Sequence, residues 1–267
     1  MNMHDPDTTQ RLTDTTLHFP EDTKQTINSI NWISAALSDA GCVRQHNEDS
    51  MLERPDLGLW VVADGMGGYE AGDVASQMVV NALKDIPPEQ KISKRVEEIE
   101  KRLLSVHAEL QRMGEERSTT AGTTVIVLQA YSRHCVVMWA GDSRIYLYRQ
   151  GKLRQFTQDH SLVDELVQRG EISPQEAENH PQANVITRAV GAHGPLFIDM
   201  DIMEVREGDV FLLCSDGLNK EVGDKEIETI MDQGDEHAVA NKLIELVLKR
   251  GARDNVTVQV VRFGING

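Results

Sequence analysis

Apolar positions along the chain switch from a period of two to a period near 3.6 and back, marking out blocks of strand and helix. Before about residue 30 there is no such period. This stretch, rich in Thr, Asp, Asn and Gln, is expected to be a disordered N-terminal tail over 1–30. Order is expected from Trp32, where Ile33, Ala35 and Leu37 alternate with Ser34, Ala36 and Ser38. Residues 57–63 read as a short buried strand. Val74, Met78 and Leu83 predict a helix over 70–83, and Val96, Ile99, Leu103, Val106 and Leu110 predict another over 91–113. Strands are predicted over 123–130, 134–140 and 144–148, with a turn at Arg149-Gln-Gly-Lys152 into a short strand ending near Thr157. Short helices follow at 161–169 and 174–179. Strands at 198–205 and 209–214 are expected to form a hairpin through Arg206-Glu-Gly208, and helices at 224–232 and 236–250 precede a last strand over 255–263. Short turns between strands favour antiparallel pairing, and helices fall in pairs between strand groups. The expectation is one layered α+β domain over 31–267, not a doubly wound sheet.

Composition narrows the function classes. Hydrophobic residues make up 40% of the 267 and aromatic ones 4%, so aliphatic side chains must fill the core. The 27 Lys+Arg against 43 Asp+Glu leave a net charge of −16, which repels nucleic acid and anionic lipid. A phosphorylated substrate must then be received by a few arginines or by bound cations. Apolar runs such as 136–140 are too short to cross a bilayer, and no basic segment followed by an apolar stretch opens the chain. The expected location is the cytoplasm, without membrane insertion. Cys42, Cys135 and Cys214 have no Cys-x-x-Cys spacing, and the last two read as buried free thiols inside strands.

The acids are the informative feature. One strand ends in Asp64-Gly65, another in Gly141-Asp142-Ser143-Arg144, and a third in Ser215-Asp216-Gly217. Asp254 opens the final strand from its other end, and Glu48 and Asp49 lie just past the first strand, after Arg44. Each alone has an ordinary explanation as a turn or cap residue. Together they bring several carboxylates to one sheet edge, where each pair at 4–5 Å would repel by roughly 3–4 kcal/mol. Divalent cations remove that conflict. All-oxygen ligands suit Mg²⁺ or Mn²⁺ over Zn²⁺, and Gly65 lets a backbone carbonyl approach an ion closely.

The segments Val43-Arg-Gln-His-Asn-Glu-Asp-Ser50, Val62-Ala-Asp-Gly-Met-Gly-Gly68, Ala140-Gly-Asp-Ser-Arg144, Cys214-Ser-Asp-Gly217 and Arg253-Asp-Asn-Val-Thr257 resemble, in order, the motif series of the metal-dependent protein phosphatases. This is the protein phosphatase 2C family in its bacterial form. The resemblance runs from about Trp32 to Phe263. It implies a four-layer αββα sandwich of two packed antiparallel sheets flanked by helices, and hydrolysis of phosphoserine and phosphothreonine in proteins. It further implies two central ions, with Asp64 on both, Asp216 and Asp254 on one and the Gly65 carbonyl on the other. Glu48 and Asp49 would hold waters around the ions, Asp142 would join Asp216 at a weaker third ion, and Arg44 would grip the substrate phosphate.

Met66 stands where many relatives carry a histidine, and a thioether cannot donate a proton to the leaving group. His46 or a metal-held water is the remaining candidate, His46 reading otherwise as an ordinary loop residue. Cys42 and Arg44 do not have the Cys-x5-Arg spacing of cysteine phosphatases. Residues 159–190 resemble the mobile flap of bacterial members. The flap and the run Phe211-Leu-Leu-Cys-Ser-Asp-Gly217 resemble phosphatases that oppose membrane Ser/Thr kinases, including those of type VI secretion systems. A monomer acting on phosphorylated proteins, a cognate kinase or its substrates, is the expected arrangement. The alternative is a catalytically silent scaffold, but such relatives usually lack a metal aspartate, and Asp64, Asp216 and Asp254 are all present. A Ca²⁺ protein would need an Asp-x-Asp-x-Asp-Gly loop, which is missing.

Overall fold

Strands that are apolar at consecutive positions need a partner on each face. The computed structural model, which describes residues 30–67, 71–87, 91–117 and 119–265, supplies both. Its strands are β1 (Ile30–Asp39), β2 (Asp49–Arg54), β3 (Leu59–Gly67), β4 (Ala121–Thr123), β5 (Val125–Tyr131), β6 (His134–Ala140), β7 (Arg144–Arg149), β8 (Lys152–Gln155), β9 (Asp199–Glu204), β10 (Val210–Cys214) and β11 (Val256–Ile265). Its helices are α1 (Ala71–Lys84), α2 (Ile92–Arg117), α3 (Leu162–Gln168), α4 (Pro174–Glu178), α5 (Asp216–Asn219), α6 (Asp224–Met231) and α7 (Glu236–Lys249). One sheet has the order β1-β11-β10-β7-β8, the other β2-β3-β5-β6-β9, with β4 paired to the end of β3. Every pairing is antiparallel.

Alternate residues of the central strands face different layers. Leu59, Val61 and Ala63 of β3 pack with Val79, Leu83, Ile99 and Leu103 of α1 and α2. Val210, Leu212 and Cys214 of β10 pack with Ile227, Leu243 and Val247 of α6 and α7. Trp60, Val62, Phe211, Leu213 and Phe263 turn the other way and fill the space between the sheets. The result is the expected α+β sandwich of helices, sheet, sheet and helices. Trp32 closes one side of the inner layer, with its ring centroid 5.6 Å from Trp60 and 5.0 Å from Phe263. Cys135 and Cys214 are buried free thiols, as read from sequence, while Cys42 is exposed.

One reading of connectivity is corrected. The segments around 198–205 and 209–214 do not form a hairpin, because β9 pairs with β6 while β10 lies between β7 and β11. The 206–208 turn carries the chain from one sheet to the other. Asp209 fixes this crossing by taking two hydrogen bonds from the Arg149 guanidinium (2.8 and 2.7 Å) and one from the Arg206 N–H (2.7 Å). The link 141–143 likewise joins β6 of one sheet to β7 of the other. Gly141 makes that step at φ +123°, where an added Cβ would lie 2.6 Å from Thr124. Strand β2 and the single turn α5 were not foreseen. Of the predicted tail over 1–30, residues 1–29 lie outside the described residues and Ile30 opens β1.

The inner layer sets a stability test. Phe211 is fully buried with its ring 6.4 Å from Trp32, so Phe211→Ala is expected to cost about 3–5 kcal/mol in urea unfolding. A loss below about 1 kcal/mol would contradict a close-packed layer there.

Candidate active site

Five aspartates reach the same end of the sandwich by different routes. Asp64 is near the end of β3, and Asp49 opens β2 as its cross-strand partner. Asp142 lies in the link from β6 to β7. Asp216 follows β10 at the start of α5, and Asp254 precedes β11. The charges act on one another, since Asp49, Asp216, Asp142 and Asp254 all disfavour ionisation of Asp64.

The backbone is pinned at each arrival. The Asp64 N–H donates to Thr124 Oγ1 (3.0 Å), and its carbonyl accepts from the Thr124 N–H (2.9 Å) and the Thr123 hydroxyl (3.0 Å). Thr124 Oγ1 shares a 2.7 Å hydrogen bond with Ser143 Oγ, tying the Asp142 link to β3. Asp49 Oδ2 accepts from Ser215 (2.8 Å) and Thr257 (2.7 Å), so one carboxylate of the second sheet is held by two hydroxyls of the first. Asn255 braces the loop before β2, accepting from the Glu48 N–H (2.9 Å) and donating to the carbonyls of Ala40 and His46 (both 2.9 Å). Two glycines permit close approach. A Cβ on Gly65 would lie 2.1 Å from the Gly72 carbonyl oxygen, and one on Gly217 would lie 1.9 Å from that of Asn255.

Burial drives the electrostatics. It pushes Asp64 well above the usual carboxylate range, with the other acids adding to the effect. It raises Asp49 to about 7 against the two hydroxyl hydrogen bonds, and Asp142 to about 7 with help from Asp216. Burial also raises Asp216, partly offset by Lys220, and raises Glu48, partly offset by Arg44. Asp49 Oδ1 and Asp142 Oδ1 are buried without a hydrogen-bond partner. Such atoms are rare in folded proteins and suit a cation. Among the described residues, no three carboxylate, imidazole or thiol side chains converge closely enough to hold an ion alone. Ions here would draw the rest of their shell from water, as Mg²⁺ and Mn²⁺ readily do. The oxygen-only donors and the two orphaned oxygens fit such ions.

The residues singled out from sequence gather here, with one difference in detail. Arg44 is half-exposed, and its guanidinium pairs with Asp254 Oδ1 at 2.9 Å. Glu48 lies against the first turn of α1, where Gly72 leaves room for its carboxylate. His46 is exposed in the same loop, near enough to favour ionisation of Glu48. Met66 is the residue after Gly65 on β3 and offers no proton. Sequence reasoning missed Lys220, which pairs with Asp216 and reaches Asp254 Oδ2 at 3.4 Å. Its position four residues after Asp216, on one helical turn, was the available signal. Ser215, Asn255 and Thr257 stood inside the quoted motifs without an assigned task.

Residues 159–190 leave and return through a narrow neck. Ser161 bridges Ile186, the Leu162 N–H bonds the Val185 carbonyl (2.9 Å) and the Thr187 N–H bonds that of His160 (2.8 Å). The neck is rooted beside Asp142. His160 Nδ1 accepts from the Gly141 N–H (3.1 Å), its ring stacks on Trp139, and Asp159 takes a forked ion pair from Arg144 (2.8–3.1 Å).

Comparison with known proteins agrees with this geometry. The family model described as Protein phosphatase 2C matches residues 43–254. "Serine/threonine phosphatase stp" of Listeria welshimeri is 38% identical over 236 residues, covering 84% of this chain and 93% of that protein. Among solved structures, "PppA, a key regulatory component of T6SS in Pseudomonas aeruginosa" superposes with TM-score 0.82 at 41% identity, covering 88% of this chain and all of that one. The catalytic domain of the serine threonine protein phosphatase PstP, solved with two manganese ions, superposes with TM-score 0.80 at 35% identity, covering 88% and 99%. With its fold, its ordered acids and these relatives in agreement, the chain belongs to the protein phosphatase 2C family.

Proposed function

We propose that this serine/threonine protein phosphatase works through a pair of Mg²⁺ or Mn²⁺ ions held at the acidic end of the sandwich. The observation that carries the reading is the meeting of five aspartates at one end of the sandwich, four of them raised by burial and two with an oxygen left unbonded. The two manganese ions of the PstP structure support it. In this reading Asp64 serves both ions, Asp216 and Asp254 serve one, and the Gly65 carbonyl serves the other. Glu48 and Asp49 act through waters, and Asp142 with Asp216 offers a weaker third place. Bound there, the ions would supply an activated water and the positive charge that phosphoryl transfer requires.

The chain's own groups do the remaining work. Ser215 and Thr257 hold Asp49 with one oxygen free to face the cluster. Arg44 has five N–H donors and only part of them engaged by Asp254, so its half-exposed fork can turn the others to a phosphate. Proton delivery to the leaving serine or threonine falls to His46 or to water, since Met66 has no proton to give. The segment 159–190, closed by its own neck and rooted at Asp142, acts as a flap over the entrance. No helix among the described residues is long and apolar enough to cross a membrane. The enzyme works as a monomer in the cytoplasm. Its partners are phosphoproteins, a cognate Ser/Thr kinase or that kinase's substrates. The similarity to PppA favours a place in type VI secretion control.

Two measurements follow from this arrangement. Purified protein should release phosphate from phosphothreonine peptides with Mn²⁺ or Mg²⁺ and stop in excess EDTA. Asp64→Asn, which removes charge from both ions, should abolish turnover. Full activity in EDTA, or a fully active Asp64 variant, would refute the metal pair.

Stability should also depend on pH in a specific direction. In the metal-free protein Asp49 and Asp142 keep their protons to about 7, against an ordinary value of 3.8. The folded chain then binds more protons than the unfolded one across that window, and this stabilisation is lost as the pH rises through the folded values. Melting temperature in EDTA should fall from about pH 5 to about pH 8, and Mn²⁺ should flatten the decline. A rise over the same window would contradict the protonated acids.

A further inference from the structure

A lysine inside the acidic cluster has a consequence for the ions themselves. Lys220 follows the single turn α5, its N–H bonded to the Asp216 carbonyl at 3.0 Å. Its side chain folds back over that turn, so Nζ pairs with the Asp216 carboxylate and reaches Asp254 Oδ2 at 3.4 Å. Arg44 takes the other oxygen of Asp254 at 2.9 Å, leaving both of its oxygens against cationic side chains. The contrast with Asp49 and Asp142, each with a buried oxygen unbonded, is direct.

We propose that Lys220 is an internal counter-ion that competes with the metal: its ammonium holds Asp216 and Asp254 together in the metal-free centre and must leave them when an ion binds between the two. The proposal rests on the reading above that these two aspartates share an ion. A divalent cation and an ammonium cannot occupy the same gap, and at such distances they repel strongly even with solvent screening. Lys220 is built to yield. Its side chain is 36% exposed, and a flexible four-carbon stem gives the ammonium a path to water. The exchange lets the chain fold without metal, and it raises the metal concentration at which the enzyme fills.

Calorimetric Mn²⁺ titration of metal-stripped wild type, Lys220→Met and Lys220→Arg, at one pH and ionic strength, tests this. Lys220→Met should bind Mn²⁺ at least roughly tenfold more tightly at one site, while Lys220→Arg should stay close to wild type. In EDTA, Lys220→Met should melt below wild type, because Asp216 and Asp254 then face each other with their shared ammonium gone. Mn²⁺ affinity in Lys220→Met that is unchanged or weaker would overturn the proposal while leaving the metal reading in place. No Mn²⁺ uptake by wild type or by the variant would remove both. Should Lys220→Met fail to fold, the unaltered protein still decides: Mg²⁺ saturation should shift the NMR signal of the Lys220 Cε–Hε group, and an unmoved signal would overturn the exchange.

Discussion

Like charges forced together in a dry place are the constraint on which this molecule depends. Asp49, Asp64, Asp142, Asp216 and Asp254 come from both sheets and share one end of the sandwich, where burial raises four of them above the usual carboxylate range. Repulsion on that scale is tolerated only with protons, ammonium and guanidinium groups, or metal ions to offset it. The chain carries the first two kinds itself, and two buried carboxylate oxygens, on Asp49 and Asp142, have no hydrogen bond.

The fold serves that meeting. Two antiparallel sheets with apolar residues on both faces give a rigid frame, and the site forms where strands from each end side by side. Connections that change sheet are therefore functional parts. The link 141–143 brings Asp142 against the ends of β3 and β10, and the Asp49 carboxylate, bonded to Ser215 and Thr257, joins the sheets across the gap. Gly65 and Gly217 let backbones pass where any side chain would collide. Small side chains and hydroxyls thus place the acids.

Much of this was legible in the sequence. Continuous apolar runs such as Val210 to Cys214 announced strands buried on both faces, and aspartates recurring at their ends announced the site. What was hidden has physical causes. β2 carries few apolar residues because it is a half-exposed edge strand, with only Asp49 and Leu52 buried. The absence of a β9–β10 hairpin was invisible because a three-residue turn can join partners in one sheet or hand the chain to the other. Here Arg149 on Asp209, a contact between distant positions, accompanies the second path. Lys220 drew no reading from the sequence, since the turn α5 was not foreseen and its partner Asp254 lies 34 positions away. Asn255 was overlooked because it braces backbone carbonyls, which no side-chain pattern reveals.

Anomalous diffraction from crystals soaked in Mn²⁺ tests the central claim most directly. The account predicts two strong manganese peaks beside Asp64, one of them between Asp216 and Asp254, with Lys220 Nζ withdrawn from that gap. Strong peaks only at other places on the acidic surface, or an acidic centre that stays empty at saturating Mn²⁺, would contradict it.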